Sequence, residues 1–405
     1  MNHKTSNNPN WIIYSSVSLI GILAIAMVAG LTKTWVLTAL PIGFLFGFFL
    51  QKGDLCGSSA FSEVIMFKDR RKIYGLWILI VVAMLGFAML DIFDLVTLNP
   101  KPLRYLSYLV GGTIFGIGIV LAGGCVSGCL YKAGTGNLNS IVALLGIPVG
   151  VMMVEFGPLH KLHTQLKQTV IKASDGSPVT LNGFLGLPFW LVAVIIASLT
   201  FLTITWYRSG HKKVIKTTTP SQLTFEKIIT KPWKPWAAGL AIGLLMIPAY
   251  LSSAASGRNY PLGVTHGVMQ AELILVEQNL NHIYGKPSPP SSDQSSLLVE
   301  PPKPGAKKVV WWLVALVTSL VLGSWTSARL SGQAKLLPKP PDELLIAIVG
   351  GVLVGIGAAL ATGCVVGNIM SGWALLSVGT ILFGIVTMLT NWITTYFYMM
   401  GGNAR

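Results

Sequence analysis

The sequence predicts an all-α membrane protein: about ten transmembrane helices in two inverted repeats, with short broken or re-entrant helices at the middle. Three observations lead there. Of 405 residues, 52% are hydrophobic and only 11% are charged, less than half the roughly 25% charged share of a soluble domain. About ten segments approach the ~20 predominantly apolar residues that a hydrocarbon core of about 30 Å requires. One glycine-thiol phrase also occurs twice, LAGGCVSG at 121–128 and LATGCVVG at 360–367, each time at the end of an apolar span.

Taken in order, residues 1–34 hold an extra span, 11–31. Its opening is polar and it has no small-residue cleavage site, so it reads as a retained anchor. The first repeat, 35–157, runs span 35–50, a short Gly-Asp-Leu-Cys-Gly-Ser-Ser segment at 53–59, spans 73–93 and 105–122, a glycine-thiol segment at 123–137, and span 138–156. Residues 158–232 connect the repeats through most of a hydrophilic insertion (157–183), span 184–207 and a basic loop, 208–231. The second repeat, 233–397, runs span 233–251, a short segment Gly-Arg-Asn-Tyr-Pro-Leu-Gly at 257–263, spans 309–328 and 344–361, a glycine-thiol segment at 362–372, and span 373–397. A Ser/Pro-rich insertion fills 286–304, and 398–405 is a tail. GGTIFGIGIVLAGGCVSG from Gly111 aligns without a gap on GGVLVGIGAALATGCVVG from Gly350. Equivalent first spans stand five spans apart, an odd step, so the halves are expected in opposite orientations. Proteins of that kind hold substrate near the midplane between broken helices, where irregular backbone survives only if buried or lining a polar cavity.

The net charge of +15 would suggest nucleic acid for a soluble protein; in a membrane protein, basic residues gather in cytoplasmic loops. Placing Lys68, Arg70, Arg71 and Lys72 inside makes both termini cytoplasmic and brings the loops of Lys132, 208–231 and Arg329/Lys335/Lys339 inside as well. The lipid bilayer is one expected partner, nucleic acid is not, and no ATPase motif is present.

The four cysteines, Cys56, Cys125, Cys129 and Cys364, stand at span ends and read as free thiols. Six histidines, at 3, 160, 163, 211, 266 and 282, are scattered, without a zinc spacing, so neither a metal nor a cofactor is expected. Gly123, Gly124, Gly128 and Gly363 flank the thiols and are read as ligand-side positions, whereas the glycines of the preceding spans are read as helix contacts. Backbone N–H groups at helix starts attract negative charge, and a neutral S–H is a weak donor. Together they suit a small, polarizable sulfur or selenium anion. Cys129, four residues after Cys125, fits two readings: a fourth relay thiol or a small buried residue. Arg258 also fits two, drawing anions toward the outer mouth or carrying a charge at the membrane surface. Of the other ionisable groups, Asp54 in the Cys56 segment counts as functional by default, Glu155 reads as an interfacial charge, and His266 and Glu272 as local pairing groups. The competing class is a membrane thiol–disulfide oxidoreductase using Cys125 and Cys129, which leaves the repeated motif without an account.

The pattern GGCxSG at 123–128, GTGN at 134–137, TGCxxG at 362–367 and Cys56 beside a Gly/Ser turn resembles the YeeE/YedE family of bacterial inner-membrane proteins, from residue 35 onward. The resemblance implies an hourglass-like transporter rather than an enzyme, one that takes up thiosulfate along a line of thiols matching Cys56, Cys125 and Cys364. Some branches of the family are associated with selenium, and a cytoplasmic persulfide-carrier sulfurtransferase is an implied partner. The extra first span, the two insertions and Cys129 depart from the leaner family pattern.

Overall fold

The computed structural model describes residues 11–32, 34–173, 176–210, 229–284, 307–336 and 339–401. The Ser/Pro-rich insertion and nearly all of the basic loop 208–231 lie outside these. The described chain is helical apart from one parallel pair of short strands, β1 (Leu280–Ile283) and β2 (Lys307–Val310), and a few isolated bridges.

The helices are α1 (Trp11–Thr32), α2 (Ala39–Gly53), α3 (Gly57–Met66), α4 (Arg71–Ile92), α5 (Tyr105–Leu121), α6 (Val126–Gly134), α7 (Leu138–Glu155), α8 (His160–Gln168), α9 (Leu181–Leu185), α10 (Phe189–Gly210), α11 (Pro235–Ala255), α12 (Thr265–Val276), α13 (Trp311–Leu330) and α14 (Pro341–Leu360). A π-helical turn, Val365–Met370, then continues through Ser371–Ala374 as α15, and α16 is Val378–Thr395. Among the described residues, nine helical runs are long and apolar enough to cross a membrane. The expected tenth, at the N-terminus, is helical as α1 but counts only as a shorter apolar helix, Ser16–Thr32. Several starts differ from the sequence expectation because proline sets them. Pro235 and Pro341 occupy first-turn positions of α11 and α14, where a missing N–H is harmless, and Pro188 holds the start of α10 to Phe189.

Four spans are broken. The first half of each ends at a residue in the left-handed region: Asp54 (φ 45°), Gly123 (66°), Gly257 (87°) and Thr362 (54°). Thr362 is the strained one, because a β-branched residue rarely adopts positive φ. A short helix follows each break: α3, α6, α12 and α15.

Span glycines let backbones approach. Gly43 and Gly47 of α2 lie against the carbonyls of Leu316 and Leu320 on α13, and Gly239 and Gly243 of α11 against those of Gly75 and Leu79 on α4. At the centre α5 crosses α14. A Cβ on Gly111 or Gly118 would strike the Ala361 or Val354 backbone; on the equivalent Gly350 or Gly357 it would strike Ala122 or Phe115. The order along the two helices is opposed, and the contact maps onto itself when they are exchanged. That is an antiparallel pair related by an approximate twofold. Equivalent helices accordingly trade partners: α5 packs on α16 and α14 on α7.

Candidate functional site

The short helices after the breaks begin at the cysteines. Cys56 is the N-cap of α3, Cys125 of α6 and Cys364 of the π-helical turn Val365–Met370 that leads into α15, while the fourth N-cap, that of α12, is Val264. None of the three thiols caps its helix by a side-chain bond, so the first-turn amides and the S–H groups are left for something else. All four cysteines are buried and free.

Two thiols meet. Cys56 Sγ and Cys125 Sγ are 3.9 Å apart, and Cys125 Sγ is 3.4 Å from Ser127 Oγ. Gly128 makes room for them, because a Cβ there would collide with Cys56 Sγ. Gly57, next to Cys56, abuts the side chain of Val365, next to Cys364, so the third thiol follows on the other side of the contact. Cys129 stands apart from the pair: its Sγ donates to the Gly124 carbonyl at 3.5 Å. Gly123 supplies the left-handed turn, a Cβ there would meet nothing, and its carbonyl accepts from Lys132 Nζ at 2.7 Å.

Cys364 lines a cavity of about 210 Å³ with Lys101, Arg258, Tyr260, Thr265, His266 and Gly363. Arg258, expected from the sequence, donates to Ser253 Oγ and the Tyr260 carbonyl, at 3.2 and 3.0 Å, and lies over the Tyr260 and Trp312 rings. Lys101 was not anticipated. Its ammonium donates to the Thr362 carbonyl (2.6 Å) and Asn368 Oδ1 (2.7 Å) and sits over the Tyr260 ring. Neither cation has a carboxylate in ion-pair reach among the described residues. Removal from water, then the Arg258 charge, lowers the Lys101 ammonium to about 7, and burial lowers Arg258 to about 10.

A signal for Lys101 was present. Pro-Lys-Pro at 100–102 recurs at 338–340, ahead of the equivalent helix, where Lys339 is paired with Glu343 at 3.1 Å. Only the comparison marks Lys101 as the unneutralised member. The gapless alignment likewise sets Asn368 opposite Cys129. Asn368 Nδ2 donates to the Gly363 carbonyl at 2.8 Å and the Ala361 carbonyl at 3.1 Å. Gly363 is the equivalent of Gly124, so the two side chains make the same bond in the two halves.

On the far side of the thiol pair a second cavity, of about 260 Å³, is lined by Gln51, Lys52, Asp54, Glu63, Arg71 and Lys72, among others. Most charges here are paired, the exception being buried Lys52, whose Nζ donates to Ser331 Oγ at 2.6 Å. Lys72 Nζ lies 2.5 Å from both Asp54 Oδ2 and Glu63 Oε1, and Tyr131 Oη donates to Asp54 Oδ1 at 2.7 Å. Glu155 Oε1 lies 3.5 Å from Nε2 of buried His163, and no cluster among the described residues has the makings of a metal site.

Two charged cavities separated by thiols on broken helices define the class, a membrane carrier of small solutes. A family model described as "Sulphur transport" matches residues 52–393, and the chain belongs to that family. It is similar to the "Thiosulfate transporter TsuA" of Spirochaeta thermophila, 30% identical over 366 residues, 88% of this chain and 96% of that one. The Escherichia coli protein of the same description is 28% identical over 368 residues, 90% and 92% of the two chains. The "Probable transporter YedE" of Escherichia coli matches 139 residues at 27%, about a third of each chain.

Proposed function

We propose that the chain takes up thiosulfate, which enters the Cys364 cavity, passes the Cys56–Cys125 pair and leaves through the Asp54 cavity. The observation that carries this is the placing of three cysteines at the starts of short helices, with Cys364 beside two cations that no carboxylate neutralises. Each helix start carries roughly half a positive charge, so four of them offset about the charge of a dianion without a fixed cation in the constriction. Contacts to N–H and S–H are strong enough to admit an anion and weak enough to release it.

In this reading 35–157 and 233–397 are the two halves of the carrier. Arg71 and Lys72 line the Asp54 cavity, so the basic-loop rule turns that cavity to the cytoplasm and the Cys364 cavity outward, in a bacterial inner membrane. Gly124 and Gly363 present their carbonyls to the latches, and Cys129 serves as the latch that Asn368 is in the other half. A redox enzyme would want Cys129 against Cys125, whereas the Cys129 thiol is turned to the Gly124 carbonyl.

The test is growth on thiosulfate as sole sulfur source of a bacterium lacking its own uptake. Rescue by the intact chain, lost in Cys125→Ala at equal membrane level, supports the proposal. No rescue by an inserted chain overturns it.

A further inference from the structure

The four helix starts around the path are not equivalent: three present a thiol, and the start of α12 presents a hydroxyl. Thr265, the first residue of α12, is 2% exposed, lines the Cys364 cavity, and its Oγ1 has no hydrogen-bond partner. Leaving a buried hydroxyl unpaired is costly, and nearby serine hydroxyls are not left so. Ser253 donates to the Arg258 carbonyl, Ser371 to that of Leu262 and Ser377 to that of Lys101. The N-cap, Val264, has no side chain able to accept from the first turn. The amides of Thr265, His266 and Gly267 find no acceptor among the described residues, and α12, at 12 residues, is long enough to carry a dipole. An orphaned hydroxyl thus lines a cavity that also holds Lys101 and Arg258, at a helix start whose first-turn amides are free.

We propose that the first turn of α12 is an oxyanion subsite that takes the three-oxygen end of the substrate, leaving the terminal sulfur to the Cys364 thiol. This rests on the thiosulfate reading above. O–H, N–H and ammonium donors match sulfonate oxygens, and the soft thiol matches the soft sulfur. The anion is therefore held by its oxygen end with its sulfur leading toward Cys364 and, beyond it, Cys125 and Cys56. Sulfate satisfies the same subsite but presents a fourth oxygen where the thiol expects sulfur, so it occupies the cavity and is not passed on.

The test uses full-length protein in liposomes, with radiolabelled thiosulfate uptake as the rate and detergent-phase melting as a measure of binding. Thr265→Val, equal in shape, is expected to raise the half-saturation concentration about tenfold, the loss of one charge-assisted bond, with maximal rate within about twofold. Sulfate inhibition weakens in parallel, and Thr265→Ser restores both. Melting without substrate does not fall, because an unpaired hydroxyl has been removed, whereas the rise induced by thiosulfate shrinks. A merely structural threonine would give the reverse. If Thr265→Val does not fold, Thr265→Ala reports the same affinity loss. Unchanged half-saturation in the folded variant overturns the subsite. No thiosulfate-dependent uptake or melting rise in the wild-type protein overturns the thiosulfate reading itself, and the subsite with it.

Discussion

Lys101 and Arg258 face the Cys364 cavity without a carboxylate, whereas at the Asp54 cavity Lys72 is held 2.5 Å from both Asp54 and Glu63. Each mouth holds residues beside the first break of one half, Asp54 in one and Arg258 in the other, and the two differ in the charges around that break. An uncompensated cation concentrates anions from dilute solution; a compensated one lets an arriving anion go. Between them the Cys56–Cys125 pair offers donors without formal charge. In the proposed transport path, capture, passage and release fall to different chemistry.

The comparison breaks most severely at the thiols. Cys56→Ala or Cys125→Ala is expected to abolish thiosulfate uptake while leaving folded protein in the membrane, checked by uptake in vesicles and monodisperse elution. Next in size is Lys101→Met, expected to raise half-saturation about ten- to a hundredfold, since a bond to a charged group contributes about 1.5–3 kcal/mol. Lys339→Met, at the neutralised counterpart, should change it less than about twofold. With Lys101 lowered to about 7, its charge is present below that pH and lost above it. Affinity measured from pH 6 to 8.5 should therefore weaken as pH rises, and the slope should flatten in Lys101→Arg. Smaller still is the latch. Cys129→Ala loses a weak bond and leaves a small cavity, about 1 kcal/mol together, and should slow uptake a few-fold. Cys129→Asn, which copies Asn368, should keep most of it, and a loss as complete as that of Cys125→Ala would make Cys129 a relay thiol instead.

Spans, repeats and the thiol segments were legible in the sequence because their signals are local: apolar length, a glycine-thiol phrase, a gapless internal alignment. Cys56, Cys125, Gly128, Arg258 and Cys364 were all singled out that way. Lys101 was not, since its meaning depends on the Thr362 carbonyl, 261 residues away. Thr265 was invisible for a similar reason: only burial without a partner distinguishes it from any threonine at a helix start. The helix breaks were expected as short broken helices, but where each short helix begins and ends was not, since the left-handed residues at 54, 123, 257 and 362 that end each first half carry no shared local pattern. Cys129 stood open between two readings, and the bond it shares with Asn368 supports the latch proposed above.

The most direct measurement is the concentration dependence of radiolabelled thiosulfate uptake into liposomes by wild-type, Lys101→Met and Cys125→Ala proteins. The account predicts that Lys101→Met moves the half-saturation point while Cys125→Ala removes the rate and leaves thiosulfate-induced stabilisation in place. Uptake by Cys125→Ala at the wild-type maximal rate would contradict it.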